Sequence, residues 1–399
     1  MSHALIVEAL RSPRGRGNDK GALRNIKPVD LLAQQLQALA HQTALQTALV
    51  SDTFIGCVTQ TADQGANIAK LALIKAGWDD CVPGLSINRY CASGLSAVQL
   101  AAQQAMNSDS LAVGGGIEMM SRVPMASDKG PLTHDFEFQQ QTGLIPIGIA
   151  ADVIATQVGF SRQQCDDYAL ASQQRAVAAR DRGIARSMHA VKDDAGLDVL
   201  AQDETPRANT SLESLAALQP AFAGMAEKYG IDKLMCKRYG LTHIDHVHHA
   251  GNSPTMADGA SAVLVASPGA LARSGLKARA KILATATVSA DRTLALSGAV
   301  QATQQALARA NLKIEDVDLF EVNESFASLM LHYMKHLKVP HQKLNVNGGA
   351  IALGHAMGST GSALIGIALD ELERTNKRFA VIALCGAAGL AVAMVIERI

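Results

Sequence analysis

Two cysteines and a histidine lie in glycine-rich surroundings that suit them to chemistry. Cys91 precedes residues 95–102, whose composition favours a helix. His355 ends the glycine-rich string 347–355, and Cys385 separates two apolar runs. At a helix N-terminus, the unpaired N–H groups and the helix dipole favour a thiolate, so we expect a lowered pKa for Cys91. Two thiols and an imidazole suggest acyl transfer through a thioester.

The remaining cysteines lack such surroundings, and we expect core or surface thiols at Cys57, Cys81, Cys165 and Cys236. Without short, regular spacing, the six cysteines do not form a disulfide framework. The N-terminal apolar segment is too short for a signal peptide. These features predict a cytoplasmic protein.

Charge and length exclude several classes. The 399 residues contain 36 Lys and Arg against 36 Asp and Glu, so no net charge attracts nucleic acid or an anionic membrane. The length allows two or three ordinary domains. The uncharged run 379–396 reaches the length of a membrane helix, but the glycines and small residues at 385–389 would break it. We therefore predict two strands joined by a turn, and no membrane insertion.

The same order of elements occurs twice, which predicts two related α/β halves. In the first copy, a helix at 28–49, a strand at 53–58 and a helix at 67–76 follow one another, and in the second copy the same elements lie at 298–310, 317–322 and 324–337. The apolar run 85–88 corresponds to 344–347, and the apolar run 112–116 corresponds to 383–387. The predicted domains are an N-terminal half (1–118 with 251–270), an inserted loop domain (119–250) and a C-terminal half (271–399).

Three strings carry a family resemblance. Residues 323–327, Asn-Glu-Ser-Phe-Ala, are similar to the thiolase string N-E-A-F-A; residues 348–361 are similar to G-G-A-I-A-x-G-H-P-x-G-x-x-G; and Cys385-Gly386 is similar to the C-G string. The chain thus resembles the 3-ketoacyl-CoA thiolases and acetyl-CoA acetyltransferases along almost its whole length. The resemblance implies duplicated αβαβα halves with an inserted loop domain, a homodimer or homotetramer, acyl-CoA substrates, and coenzyme A as co-substrate without a permanently bound cofactor.

The resemblance also implies roles for individual residues. Cys91 would be the nucleophile, His355 the base that accepts its proton, and Cys385 the acid or base at the substrate carbon. One oxyanion hole would combine His355 with a water bound by Asn323, and the other would combine the N–H groups of Cys91 and Ala387. Asn323 has a second interpretation, as a simple cap of the following helix.

Four further residues are implied as contacts for coenzyme A or substrate: Arg207, Ser214, Phe222 and Ser253. Arg207 also fits a solvated loop charge. Ser253 is proposed because Pro254 occupies a place where the family often has a serine.

Departures from the family pattern affect the expected substrate. Residues 145–148 lack the His-Met pair typical of short-chain biosynthetic members, and the segment 223–251 is longer. That segment contains His243, His246, His248 and His249. We expect a loop or strand near the substrate mouth rather than a metal site, because no tetrahedral ligand set is complete. If Ala387, at a usual glycine position, has a positive φ, strain of about 1 kcal/mol follows.

The departures favour a degradative thiolase acting on larger 3-ketoacyl-CoAs. The alternatives are a biosynthetic acetyl-CoA acetyltransferase, a ketoacyl synthase, and a non-catalytic acyl-CoA or lipid carrier. The synthase would need a second histidine where this chain has Cys385, and a carrier would need none of the three reactive residues. Residues 114–116 give only a weak dinucleotide-binding signal, because G-x-G-x-x-G spacing is lacking.

Overall fold

The computed structural model describes residues 3–399, which form twelve strands and fifteen α-helices. The strands are β1 (Leu5–Arg11), β2 (Gly15–Arg16), β3 (Val50–Gly56), β4 (Leu85–Ile87), β5 (Leu111–Met119), β6 (Val191–Lys192), β7 (Asp198–Leu200), β8 (Ala257–Ala266), β9 (Ala280–Ser289), β10 (Leu319–Val322), β11 (Phe379–Cys385) and β12 (Leu390–Arg398). The helices are α1 (Pro28–Thr43), α2 (Ile68–Lys75), α3 (Ser93–Ser108), α4 (Pro131–His134), α5 (Phe136–Thr142), α6 (Ile147–Val158), α7 (Arg162–Asp181), α8 (Leu212–Ala216), α9 (Ala223–Lys228), α10 (Ile231–Tyr239), α11 (Pro268–Ser274), α12 (Gly298–Ala310), α13 (Ala327–Leu337), α14 (Ala350–Leu353) and α15 (Met357–Thr375).

Ten strands form one mixed sheet whose order repeats on either side of its centre. The order is β10-β11-β12-β9-β1-β8-β5-β3-β4, with β2 paired to β8, while β6 and β7 form a separate pair. From the central β1 and β9, the path β8-β5-β3-β4 on one side matches β12-β11-β10 on the other. Leu344 bridges Phe320 of β10 in parallel, at the position that β4 occupies in the first copy. The strand order confirms the predicted duplicated α/β fold.

Helices α3 and α15 share one core with strands from both halves. Leu95 and Val98 of α3 and Leu364 and Leu369 of α15 are buried in this cluster. Small residues allow the two helices to approach the sheet closely: a Cβ at Gly116 of β5 would lie 2.0 Å from the carbonyl oxygen of Gly358. Since α3 follows Cys91 and α15 follows His355, this core fixes the predicted nucleophile and base relative to each other.

Several predicted elements appear with changed ends. The run 379–396 forms β11 and β12, which pair in antiparallel register around a turn, as predicted. Helix α13 begins only at Ala327, because residues 323–326 form an irregular segment with a bend at Ser325. Residues 344–347 supply a single bridge rather than a strand. The residue bounds of the three predicted domains stay a prediction.

Among residues 3–399, no single helix is both long and apolar enough to cross a membrane. One pair of helical segments meets the length and composition requirements only when the two segments are taken together. They are Phe136–Val158 and Arg162–Asp181, and the chain bends by 118° between them.

Candidate active site

Cys91 lies in a turn between β4 and α3 that is held by hydrogen bonds among its own residues. The Ser93 hydroxyl accepts the Arg89 N–H at 2.7 Å and donates to the Tyr90 carbonyl at 2.6 Å, and Asn88 accepts the Tyr90 N–H at 2.8 Å. Tyr90 has φ of 48°, a left-handed conformation that is strained for a non-glycine residue. The Cys91 side chain is partly exposed, so the turn presents a fixed thiol that a substrate can reach.

The prediction of a lowered pKa for Cys91 is wrong. Although the residue is partly exposed, desolvation of its sulfur by the surrounding protein raises this pKa to about 12, and the charges that Cys385 and Glu118 carry when ionised add to the effect. A shift of this size corresponds to about 4 kcal/mol, whereas a helix N-terminus supplies about 0.3–1 kcal/mol. Helix α3 starts at Ser93, one residue beyond the Ala92 cap. Cys91 is therefore a thiol at neutral pH, and its predicted role as a nucleophile would need a base.

His355 has the protonation state that a base requires. Burial and the nearby charge of Arg14 lower its pKa to about 3, so the imidazole is neutral at pH 7. Its backbone N–H donates to the Thr255 carbonyl at 2.7 Å, and Nδ1 lies 2.8 Å from the Thr360 hydroxyl. Within residues 3–399, the buried Nε2 has no hydrogen-bond partner. A proton on Nδ1, donated to Thr360, leaves Nε2 free to accept another.

Two buried glutamates fix the loop that carries His355, and neither is among the site residues predicted from the sequence. Glu324 accepts four hydrogen bonds: from Tyr168 Oη at 2.9 Å, Ser172 Oγ at 2.7 Å, Asn345 Nδ2 at 3.2 Å and the Ile351 N–H at 3.1 Å. Glu118 accepts the N–H of Gly358 at 3.0 Å and donors from Val58, Thr59 and Gln64. The loop is thus bonded to one carboxylate before His355 and to another after it. Glu118 is the single acidic residue in the apolar strand β5, and this feature of the sequence could have identified it as a buried, hydrogen-bonded carboxylate.

Asn323 and Cys385 belong to one hydrogen-bonded group. Asn323 Nδ2 donates to the Ser325 hydroxyl at 3.0 Å, and this hydroxyl lies 3.2 Å from Cys385 Sγ. Phe326, not Asn323, caps α13, so the interpretation of Asn323 as a helix cap is wrong. The buried Asn323 Oδ1 has no partner among the described residues. Burial raises the pKa of Cys385 to about 11, while the bond to Ser325 acts in the opposite direction.

The turn after Cys385 lies directly against the turn that carries Cys91. A Cβ placed on Gly386 would be 3.2 Å from the Arg89 carbonyl oxygen and 3.4 Å from Tyr90 Cβ. Ala387, the predicted oxyanion donor, is buried in this turn. The expected positive φ falls on Ala388 (φ 56°), not on Ala387.

The predicted coenzyme A contacts differ in whether their polar side-chain groups already form hydrogen bonds within the protein. Arg207 is exposed, and within the described chain its guanidinium forms no ion pair. Its backbone N–H donates to the Gln173 side-chain oxygen, and the Gln173 side-chain N–H donates to the Ile351 carbonyl. Ser214 is also exposed, but its hydroxyl donates to the Ser211 carbonyl at 2.8 Å in the cap of α8. Arg207 therefore has a free guanidinium, whereas the Ser214 hydroxyl is already bonded.

Phe222 and Ser253 lie on the apolar side of the site. The Phe222 ring packs edge-on against Phe326, with centroids 5.9 Å apart, and a Cβ at Gly148 would lie 2.2 Å from this ring. Ser253 is buried, and within residues 3–399 its hydroxyl is unpartnered. Gly148 lies in the stretch that lacks the His-Met pair, and its lack of a side chain leaves room for the Phe222 ring.

The histidine-rich segment is bonded to carboxylates. His246 contacts Asp152 at 2.8 Å and Asp232 at 3.0 Å, His248 contacts Asp152 at 2.6 Å, and His249 contacts Asp166 at 2.8 Å. His248 also packs edge-on against Phe326, with ring centroids 5.2 Å apart. These contacts attach the segment to helices α6 and α7 and place it beside the apolar side of the site.

Comparison with known proteins identifies the family. The model for the thiolase N-terminal domain matches residues 4–227, and that for the thiolase C-terminal domain matches residues 276–398. The chain belongs to the thiolase family and is an acyltransferase enzyme of that family.

Individual relatives agree with this assignment. A 3-ketoacyl-CoA thiolase of Serratia proteamaculans is 35% identical, with 100% of each chain covered. The steroid 3-ketoacyl-CoA thiolase FadA6 of Mycobacterium tuberculosis is 34% identical over 100% of this chain and 95% of its own. The crystal structure of an acetyl-CoA acetyltransferase from Bacillus anthracis superposes with a TM-score of 0.86 at 29% identity, covering 100% of this chain and 99% of that one.

Proposed function

We propose that this enzyme is a degradative 3-ketoacyl-CoA thiolase, an acetyl-CoA C-acyltransferase that uses coenzyme A to cleave 3-ketoacyl-CoA. His355 takes the proton of Cys91, and the sulfur attacks the 3-keto carbon. The bond between carbons 2 and 3 breaks, which leaves an acyl group on Cys91 and an acetyl-CoA enolate. Cys385 gives its proton to that enolate carbon. Coenzyme A then loses its thiol proton to the Cys385 thiolate, directly or through His355, and its sulfur takes the acyl group from Cys91. The Cys91 sulfur leaves as a thiolate and regains its proton from His355.

The observation that carries this proposal is the neutral, buried His355 with an unpartnered Nε2. A thiol whose pKa is raised by burial needs a base beside it at neutral pH, and the attraction between the resulting thiolate and imidazolium would favour the transfer. The unpartnered Oδ1 of Asn323 and the free second N–H of its amide suit the water of the first oxyanion hole. The N–H groups of Cys91 and Ala387 would serve the second.

Coenzyme A would enter over the inserted segment. The exposed guanidinium of Arg207 suits a phosphate group, and the Phe222 ring and the Ser253 hydroxyl suit the pantetheine. Ser214 contributes through its remaining acceptor only. The Phe222 ring occupies the space beside Gly148. The preference for a larger acyl group rests on the departures from the family pattern at residues 145–148 and 223–251.

A second copy of the chain would pair along β4 to give a homodimer, which could assemble further into a tetramer. This edge strand exposes Leu85 at 47%, and Leu71 and Ile74 of the neighbouring α2 are exposed at 45% and 57%. Unpaired strand edges with apolar neighbours favour pairing with another chain. Sedimentation velocity of the protein and of Leu85→Lys checks this, since only the wild type should sediment as an oligomer.

A cytoplasmic location completes the proposal. All six cysteines are free thiols, which supports a reducing compartment. Fractionation of the host cells checks this location.

The test of the activity is coenzyme A-dependent cleavage of acetoacetyl-CoA beside longer and branched 3-ketoacyl-CoAs, with Cys91→Ala as control. We expect cleavage that favours the larger thioesters and disappears in the variant. Activity confined to acetoacetyl-CoA would instead identify an acetyl-CoA acetyltransferase. Binding of coenzyme A without cleavage of any substrate would identify a carrier.

A further inference from the structure

A serine in this chain replaces the alanine of the family string N-E-A-F-A, and its side chain lies inside the site. Ser325 accepts the Asn323 amide N–H at 3.0 Å and lies 3.2 Å from Cys385 Sγ. The three side chains are 5% exposed or less. Because the Ser325 oxygen accepts from Asn323, its own proton is available to the sulfur. The group therefore forms a chain of donors, from amide to hydroxyl to sulfur, that ends on Cys385.

We propose that Ser325 is a positioning residue for Cys385, which aims the thiol and stabilises its thiolate whenever a proton moves between sulfur and the substrate carbon. The inference rests on the proposed function, since it assigns Ser325 to the acid and base step of that reaction. In cleavage, the S–H bond breaks, a C–H bond forms from the enolate electron pair, and the S–H pair stays on sulfur. In condensation, the C–H bond breaks, an S–H bond forms, and the C–H pair enters the enolate.

The backbone keeps the Ser325 hydroxyl in place during these steps. The Ser325 N–H donates to the Asn323 carbonyl at 2.8 Å, and α13 begins two residues later. A hydroxyl that donates to the charged form of a thiol stabilises this form selectively, and chains of such bonds strengthen one another. Asn323 keeps a second N–H for the oxyanion water, so the two roles are compatible.

The experiment compares two partial reactions in Ser325→Ala. Deuterium uptake into the methyl group of acetyl-CoA follows proton transfer at Cys385, whereas exchange of labelled coenzyme A into acetyl-CoA follows Cys91 and His355. We expect deuterium uptake to fall about tenfold at neutral pH, with its pH profile displaced upward by about one unit. Label exchange should stay within about twofold, and Ser325→Thr, which keeps the hydroxyl, should restore uptake.

Ser328→Ala is the matched control, because it removes another buried hydroxyl of the same segment, one that donates to the Ala151 carbonyl. It should leave the pH profile of uptake unchanged. An unshifted profile in Ser325→Ala, or an equal loss in both partial reactions, would overturn the inference while leaving the proposed function intact. Absence of label exchange in the wild type would overturn both.

Discussion

His355 in the reaction centre and His246 in the inserted segment have pKa values displaced in opposite directions. The pKa of His355 is lowered to about 3 by burial and the charge of Arg14, and its ring contacts an uncharged hydroxyl. The pKa of His246 is raised to about 9, first by its bond to Asp152 and then by that to Asp232. One imidazole is neutral with a free nitrogen, and the other is charged with both nitrogens bonded. The surroundings therefore leave the His355 ring able to accept a proton and fix the His246 ring in two ion pairs.

The two regions also differ in how their other polar groups are used. In the reaction centre, Glu324 and Glu118 bind the backbone of the histidine loop on both sides. In the inserted segment, Arg207 is exposed and free of ion pairs among the described residues. A rigid centre suits bond making and breaking, where small displacements are costly, and a free cation suits a ligand that enters and leaves.

Asn323→Ala should give the largest effect, because it removes the polar group assigned to the oxyanion water. We expect kcat to fall about 100-fold to 1000-fold, with KM changed only a few-fold. Steady-state kinetics on a 3-ketoacyl-CoA measure this effect. Asn376→Ala, at the exposed C-cap of α15, is the matched control. A loss of less than about threefold in Asn323→Ala would show that this amide has no part in the reaction.

The opposite pKa shifts predict opposite dependences of stability on pH. For His355, the folded pKa of about 3 lies below the unfolded value, so the unfolded state binds more protons as pH falls below about 6.5. At pH 5 the wild type should therefore lose about 2 kcal/mol relative to His355→Asn, compared with pH 7. For His246, stabilisation is complete below about 6.5 and is lost as pH rises through about 9.

Urea unfolding of wild type, His355→Asn and His246→Gln at pH 5, 7 and 9 measures both effects. The advantage of the wild type over His246→Gln should shrink between pH 7 and 9. Parallel curves for all three proteins would show that neither histidine has a shifted pKa.

Arg207→Ala sharpens the contrast between the two regions. If Arg207 binds a phosphate of coenzyme A, KM for coenzyme A should rise about tenfold while kcat stays within about twofold. Arg207→Lys should recover part of this affinity, and the recovery should weaken with added salt. Arg273→Ala is the control, because this exposed arginine pairs with Asp109 outside the site. A kcat effect without a KM effect would place Arg207 in the chemistry instead.

The sequence could predict what depends on local pattern. Glycines and apolar runs around Cys91, His355 and Cys385 indicated turns after strands, and the broken run 379–396 indicated two strands. It could not predict what depends on distant packing. The direction of the Cys91 pKa shift comes from burial, which outweighs the effect of the helix end. Glu118 binds the N–H of Gly358, 240 residues away, so no local signal could connect them.

The smallest expected effect concerns strain beside Cys385. Ala388 has φ of 56°, which costs an L-residue about 1–2 kcal/mol, while glycine loses about 0.5–1 kcal/mol more conformational freedom on folding. Ala388→Gly should therefore raise the free energy of unfolding by about 0.5–1 kcal/mol, measured by urea unfolding. Ala387→Gly is the matched control and should lower it, because Ala387 has no positive φ.

A gain in Ala387→Gly instead of Ala388→Gly would place the strain on the predicted oxyanion donor, the case considered from the sequence for a positive φ at Ala387. A gain at Ala388 with unchanged kcat would show that the strain in this turn is separable from the chemistry. Of the two adjacent alanines at usual glycine positions, only the second, which closes the turn into β12, would then carry backbone strain.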